Sequence, residues 1–135
     1  MTNVLVDSSV LISFYDQNDV NHQRAIDDLD RLSGFGNKLW LVEHVLDEVV
    51  NILLKKELKP QLKDFLILIE TSKLELYLPK TPQQSRQLIL KVFHQVVEQK
   101  NSKISFTDMY QQVLSESNEL PAAQVLSYDH HLQQK

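Results

Sequence analysis

The stretch Val4-Leu5-Val6-Asp7-Ser8-Ser9-Val10-Leu11-Ile12 decides how this chain is read. An apolar run ends in a carboxylate, two hydroxyls follow, and a second apolar run begins. Residues 4–6 are expected to form a buried central strand, with Asp7 at its carboxyl end. Open parallel sheets bind ligands outside the carboxyl ends of their strands. Other acids that reach the same end would therefore matter.

Outward from Asp7, residues 8–15 read as a helix that Ser8 or Ser9 can cap, because a hydroxyl satisfies an orphan amide there. Residues 16–19 are a polar break. A second helix over 22–32 carries Ala25, Ile26, Leu29 and Leu32 at helical spacing. Residues 33–37 hold both glycines and form a loop. A strand is expected at 39–42, then a helix over 43–58 with Val45, Leu46, Val49, Ile52 and Leu53 in one stripe. Lys55, Lys56 and Lys59 crowd its end, where they suit the helix dipole. Pro60 opens a helix over 61–72, and a third strand at 74–78 is closed by Pro79 and Pro82. A long helix follows over 83–99. Residues 103–105 suit a brief fourth strand, Thr107 or Asp108 starts the next helix to about 117, and residues 122–127 form a fifth strand before a last turn at 129–134. Strands alternating with helices imply an α/β fold with a mainly parallel sheet and helices on both faces.

The 135 residues fit one domain spanning 1–135. Hydrophobic residues make up 42% and charged residues 24%, the balance of an ordinary globule with one core. The absence of cysteine excludes disulfides, thiol nucleophiles and cysteine-bound zinc. No run approaches the ~18 apolar residues of a membrane helix. Residues 4–14 lack the basic leader and cleavage pattern of a signal peptide, so a cytoplasmic home is expected. The net charge of -4 is no global footprint for nucleic acid. It leaves room for an enzyme that meets RNA through metal ions.

Three acids, Asp7, Asp108 and Asp129, come just after predicted strands, and the helix over 43–58 begins at the same edge of the sheet. Like charges a few ångströms apart do not all stay ionised unless a positive charge joins them. Hard divalent cations with oxygen ligands are the usual answer, and they serve phosphodiester hydrolysis. Each acid also has a plainer reading. Asp7 and Asp129 can cap the helices after them, and Ser105-Phe106-Thr107-Asp108 has capping-box spacing. Glu48 has Glu43 and Asp47 as rivals. At about 100° per residue, Glu48 lies at the margin of the apolar stripe and Asp47 further from it.

These motifs resemble a family. Residues 4–12 are similar to the first motif of PIN domains: apolar strand, Asp, a hydroxyl residue, then Val-Leu. Val45-Leu46-Asp47-Glu48-Val49-Val50-Asn51-Ile52-Leu53 resembles the second, which selects Glu48 among the three acids of its helix. Ser105-Phe106-Thr107-Asp108 resembles the third and Val125-Leu126-Ser127-Tyr128-Asp129 the fourth. The resemblance covers nearly the whole chain and points to VapC-type toxins of bacterial toxin–antitoxin pairs. It implies a three-layer α/β/α sandwich with a five-stranded sheet of order 3-2-1-4-5. It implies Asp7, Glu48, Asp108 and Asp129 as the catalytic acids and Mg²⁺ or Mn²⁺ ligands, with Ser8 and Ser127 orienting carboxylates and waters. It also implies RNA as substrate, a cognate antitoxin and a homodimer. The chain departs from the pattern at Met109-Tyr110-Gln111, where small residues are usual. It departs again at Ser117-Asn118-Glu119-Leu120-Pro121, which lacks the glycine common before the last strand.

Other features are weighed against this. His22, His44, His94, His130 and His131 have no zinc-motif spacing. Lys55, Lys56, Lys59 and Lys63 could meet phosphates but read first as a solvated helix end. Phe14, Tyr15 and Trp40 could stack on bases but read first as core. Two rival functions are a receiver-type phosphoacceptor, which would need a Lys after the last strand, and a PIN-fold binding module with little activity.

Overall fold

The computed structural model describes residues 2–100, 103–121 and 123–129. Its elements run β1 (Asn3–Val6), α1 (Ser8–Tyr15), α2 (His22–Gly34), β2 (Lys38–Val42), α3 (Glu43–Lys55), α4 (Lys59–Glu70), β3 (Glu75–Tyr77), α5 (Pro82–Glu98), α6 (Phe106–Ser115) and β4 (Gln124–Leu126). One parallel sheet has the order β3-β2-β1-β4. Val4 is paired to Leu39 on one side and Gln124 on the other, so β1 is a central strand. Val4, Leu5 and Val6 are buried on both faces, as a run without alternation requires.

Successive strand residues face opposite sides of a sheet. Leu39 lies with Leu11, Ile26 and Leu29, and Trp40 with Tyr77, Gln84 and Leu120. Helices α1 and α2 therefore cover one face, and the start of α5 and the loop after α6 cover the other. The result is an α/β/α layering around a core that includes Leu5, Val10, Leu41, Val45, Val49, Phe65, Val92 and Leu114.

The sheet has four strands among the described residues, not the five expected. Lys103 lies in a turn and Ile104 and Ser105 form no strand. The reason is local. Ser105 is the N-cap of α6: its Oγ accepts from the Asp108 backbone N–H at 3.0 Å, and its own N–H is taken by Asp108 Oδ2 at 3.4 Å. With its N–H held by Asp108, Ser105 has no donor left for a ladder, and the two residues before it are too short a run to make a strand. The expected fifth strand is thus β4, paired directly to β1; its predicted first residue, Ala122, lies outside the described residues, as does the predicted turn beyond Asp129.

Two helices stop earlier than periodicity suggests. After α3, Leu58 N–H bonds the Leu53 carbonyl and Glu57 N–H bonds that of Leu54, with Glu57 at φ 58°. This is a Schellman closure, here with a non-glycine residue in the left-handed region. It turns Leu58 back onto the core while ending the helix at Lys55. Ser72, also at φ 58°, follows α4 in the same conformation. Pro60 stands in the first turn of α4, where its missing N–H costs nothing. Among the described residues no helix is long and apolar enough to cross a membrane.

Candidate metal centre at the carboxyl end of the sheet

Asp7 leaves β1 with its N–H still bonded to the Leu126 carbonyl at 2.9 Å, which sets it beside the end of β4. It is the N-cap residue of α1, so neither Ser8 nor Ser9 holds that place. Its side chain makes no cap hydrogen bond; the carboxylate turns into the protein and is 4% exposed. Three neutral groups converge on it. Gln111 Nε2 donates to Oδ1 at 2.8 Å, and Ser9 Oγ and Ser127 Oγ donate to Oδ2 at 2.8 and 2.9 Å.

Each serine has one hydroxyl hydrogen, and each spends it on Asp7. Their oxygens are then free to accept: Ser9 from the Tyr128 N–H at 3.0 Å and Ser127 from the Asp129 N–H at 2.9 Å. The turn carrying Asp129 is in this way tied through two hydroxyls to Asp7. The other expected hydroxyl, Ser8, donates to Glu48 Oε1 at 2.8 Å. Of the three acids on α3, Glu48 is the one joined to the residue beside Asp7. It is exposed, whereas a position at the margin of the stripe suggests partial burial.

Asp108 is buried and closes the capping box, so its plainer reading is realised. That role does not exhaust it. Burial, then the charges of Asp129 and Asp7, push its carboxyl up to about 6, against the opposing pull of its Ser105 hydrogen bonds. Asp7, Asp108 and Asp129 therefore share one electrostatic field. The ion pairs among the described residues lie elsewhere, at Arg24–Asp28, Arg31–Asp28 and Lys56–Asp16. As placed, no three acid or histidine side chains among the described residues stand close enough to ligate one ion together. The donor set still fits a hard cation. It is all oxygen, drawn from β1, α6, the end of β4 and the exposed Glu48, and among the described residues its concentrated negative charge has no lysine or arginine against Asp7 or Asp108.

The remaining expectations fall to ordinary packing. His22 Nδ1 contacts the Ser13 carbonyl, His44 packs between Phe106 and Tyr110, and His94 is exposed on α5. His130 and His131 lie outside the described residues. Lys56 pairs with Asp16, Tyr15 is buried against Phe14 and Phe65, and the Trp40 indole donates to Asn3. Sequence reasoning missed Ser9 and Gln111. Ser9 was visible as the second hydroxyl after Asp7. Gln111, three residues after Asp108 on α6, stands beside a second glutamine, and nothing in the sequence set it apart from Gln112.

The fold is thus a parallel α/β sheet with carboxylates gathered at the carboxyl end of its strands. The sequence model of the PIN domain matches residues 4–134, and the chain belongs to that family. A search of the curated proteins returns no match. Among solved structures, Mycobacterium tuberculosis VapC20, a sarcin–ricin loop cleaving toxin, shares the fold at a TM-score of 0.71 and 16% identity. The match covers 95% of this chain and 92% of that one.

Proposed function

We propose that this chain, acting as one PIN-like domain over residues 1–135, is a metal-dependent endoribonuclease and the toxin of a type II toxin–antitoxin pair. The observation that carries the proposal is the Asp7 carboxylate, buried at the end of a central strand and fixed by three neutral donors. Neutral donors orient a carboxylate without cancelling its charge, which leaves it able to hold a cation. Membership of the PIN family and the fold shared with VapC20 support the same reading. Asp7, Glu48, Asp108 and Asp129 would hold Mg²⁺ or Mn²⁺. The chemistry such a cation supplies is activation of water and neutralisation of charge on the phosphate.

The chain's own residues do the rest. Ser127 and Ser9 hold Asp7 in one rotamer and couple it to the Asp129 turn. Ser8 steadies Glu48. In this scheme water attacks the phosphodiester directly and no covalent enzyme intermediate is needed. The antitoxin and a second copy of the chain are the expected partners. Apolar side chains bared on two helices, Leu66 and Ile67 on α4 and Phe93 and Val97 on α5, are surfaces such partners could cover.

The test is cleavage of RNA by the purified chain in Mg²⁺, in Mn²⁺ and in chelator. A sarcin–ricin loop oligonucleotide is the first substrate to try, because VapC20 cleaves that loop. Cleavage that needs the metal and disappears in Asp7→Asn is expected. Equal cleavage by Asp7→Asn and the parent chain would identify a contaminating nuclease. Tight metal binding with no cleavage of any RNA would favour a binding module instead.

A further inference from the structure

Gln111 is fully buried in α6, yet only half of its amide is satisfied. Nε2 donates to Asp7 Oδ1 at 2.8 Å, while Oε1 is buried with no hydrogen-bond partner. The orientation of the amide is not arbitrary. Reversing it would set the amide oxygen against a carboxylate oxygen, an arrangement with no hydrogen to share. With Nε2 held on Asp7, Oε1 lies no further from Asp7 Oδ1 than the width of the amide beyond that hydrogen bond. An orphaned acceptor in a protein interior is costly, and where other polar groups stand near it the usual remedy is an ordered water.

The charge of the residue matters as much as its reach. Lysine or arginine here would pair with Asp7 and compete with any cation. Leucine would be buried as readily but would leave Oδ1 without its donor. Glutamine is the side chain that grips the carboxylate, leaves its charge intact and keeps an acceptor to spare. Ser9 and Ser127 meet the other oxygen, so among the described residues Gln111 is the side chain on Oδ1.

We propose that Gln111 is a positioning residue of the metal centre: its Nε2 fixes Asp7, and its unpartnered Oε1 accepts a hydrogen bond from a water at the cation site. This rests on the metal-dependent reading above and assigns to α6 a second role beyond supplying Asp108. It also gives a reason for glutamine where small residues are usual after that acid.

Two measurements test it on the intact chain. Mn²⁺ titration by calorimetry is compared between the parent and Gln111→Met, with thermal melts in chelator alongside. The expected result is Mn²⁺ affinity weakened about 10- to 100-fold in a variant that still melts cooperatively in chelator. In parallel, the Gln111 side-chain amide signals of the unmutated chain are followed by nuclear magnetic resonance during Mg²⁺ titration. They should shift along the same binding curve that calorimetry reports for Mg²⁺. This second measurement needs no variant, so it decides the matter even if Gln111→Met folds poorly. Parent affinity retained in folded Gln111→Met, or amide signals that stay still while Mg²⁺ binds, overturns the role of Gln111 and leaves the metal centre standing. A parent chain that binds neither Mn²⁺ nor Mg²⁺ overturns both.

Discussion

Helix α1 is flanked by two buried aspartates that the fold treats in opposite ways. Asp7 precedes it and Asp16 follows it, 4% and 7% exposed. Asp16 stands at the helix C-terminus, where the dipole disfavours negative charge. It is compensated there: Lys56 Nζ donates to Oδ2 at 2.8 Å and the Asn18 N–H to Oδ1 at 3.0 Å. The Lys56 hydrogen bond, with that of Asn18 behind it, holds the Asp16 carboxyl below the ordinary carboxylate range. Among the described residues Asp7 receives neutral donors only, and its neighbour Asp108 is pushed up to about 6. A buried carboxylate with its own cation is structural and complete. One grouped with other acids and met, among the described residues, by dipoles alone is what the cation site proposed above requires.

Exchanging charge at the two ends of α1 is the strongest way to break that contrast. Asp7→Asn is expected to lower RNA cleavage by at least about 100-fold, since a ligand should matter no less than its supporting residues. Asp16→Asn should cleave within about twofold of the parent. If both variants lose cleavage together while staying folded, the distinction between the two ends is wrong.

Adding metal sharpens it next. At about a hundred times its Kd, Mn²⁺ should stabilise the parent by about 2.7 kcal/mol. Thermal melts should show this rise in the parent and in Asp16→Asn but not in Asp7→Asn.

The pH dependence in chelator is a smaller effect. A carboxyl raised in the folded chain binds its proton more tightly there than in the unfolded chain. Its favourable contribution is therefore present at low pH and is lost as pH climbs from about 4 to about 6. Asp108→Asn should remove this loss, so the variant should be more stable than the parent at pH 7 by about 1 kcal/mol and not at pH 4. A parent advantage at pH 7 in chelator would show that the capping box outweighs the repulsion.

Asp16 titrates with the opposite sign. Its carboxyl is lowered, so its contribution holds above the ordinary carboxylate pKa and fades as pH falls through the depressed value. The Lys56 partner is half exposed, so Asp16→Asn should lower the melting temperature near neutrality by a few degrees at most. Half a molar salt should shrink even that difference.

Much of this is legible in the sequence. The unalternating run at residues 4–6 belongs to a strand buried on both faces, and that is β1. Capping-box spacing at Ser105–Asp108 is realised in full, although residues 103–105 also suit a strand. A three-residue run carries little periodicity, and the cap, being a set of definite hydrogen bonds, prevails. Periodicity sets Asp47 further from the stripe than Glu48 and leaves Glu43 open; its place in the second PIN motif selects Glu48, and in the structure Ser8 donates to it. Gln111 carries no such signal, because the pair Gln111-Gln112 reads as a polar break in the apolar stripe.

Local chemistry explains the division. Strand and helix periods, the Ser105 cap and the acids at strand ends depend on residues within a few positions of one another, so the sequence by itself determined an α/β chain and named Asp7, Asp108 and Asp129. Whether a buried carboxylate is neutralised depends on groups brought within hydrogen-bond reach from far along the chain. Lys56 reaches Asp16 across 40 positions, Gln111 reaches Asp7 across 104 and Ser127 reaches it across 120. Coulomb and hydrogen-bond energies act over a few ångströms of space and take no account of sequence separation. Only the tertiary structure could decide which aspartate has a cation of its own and which is met by neutral donors.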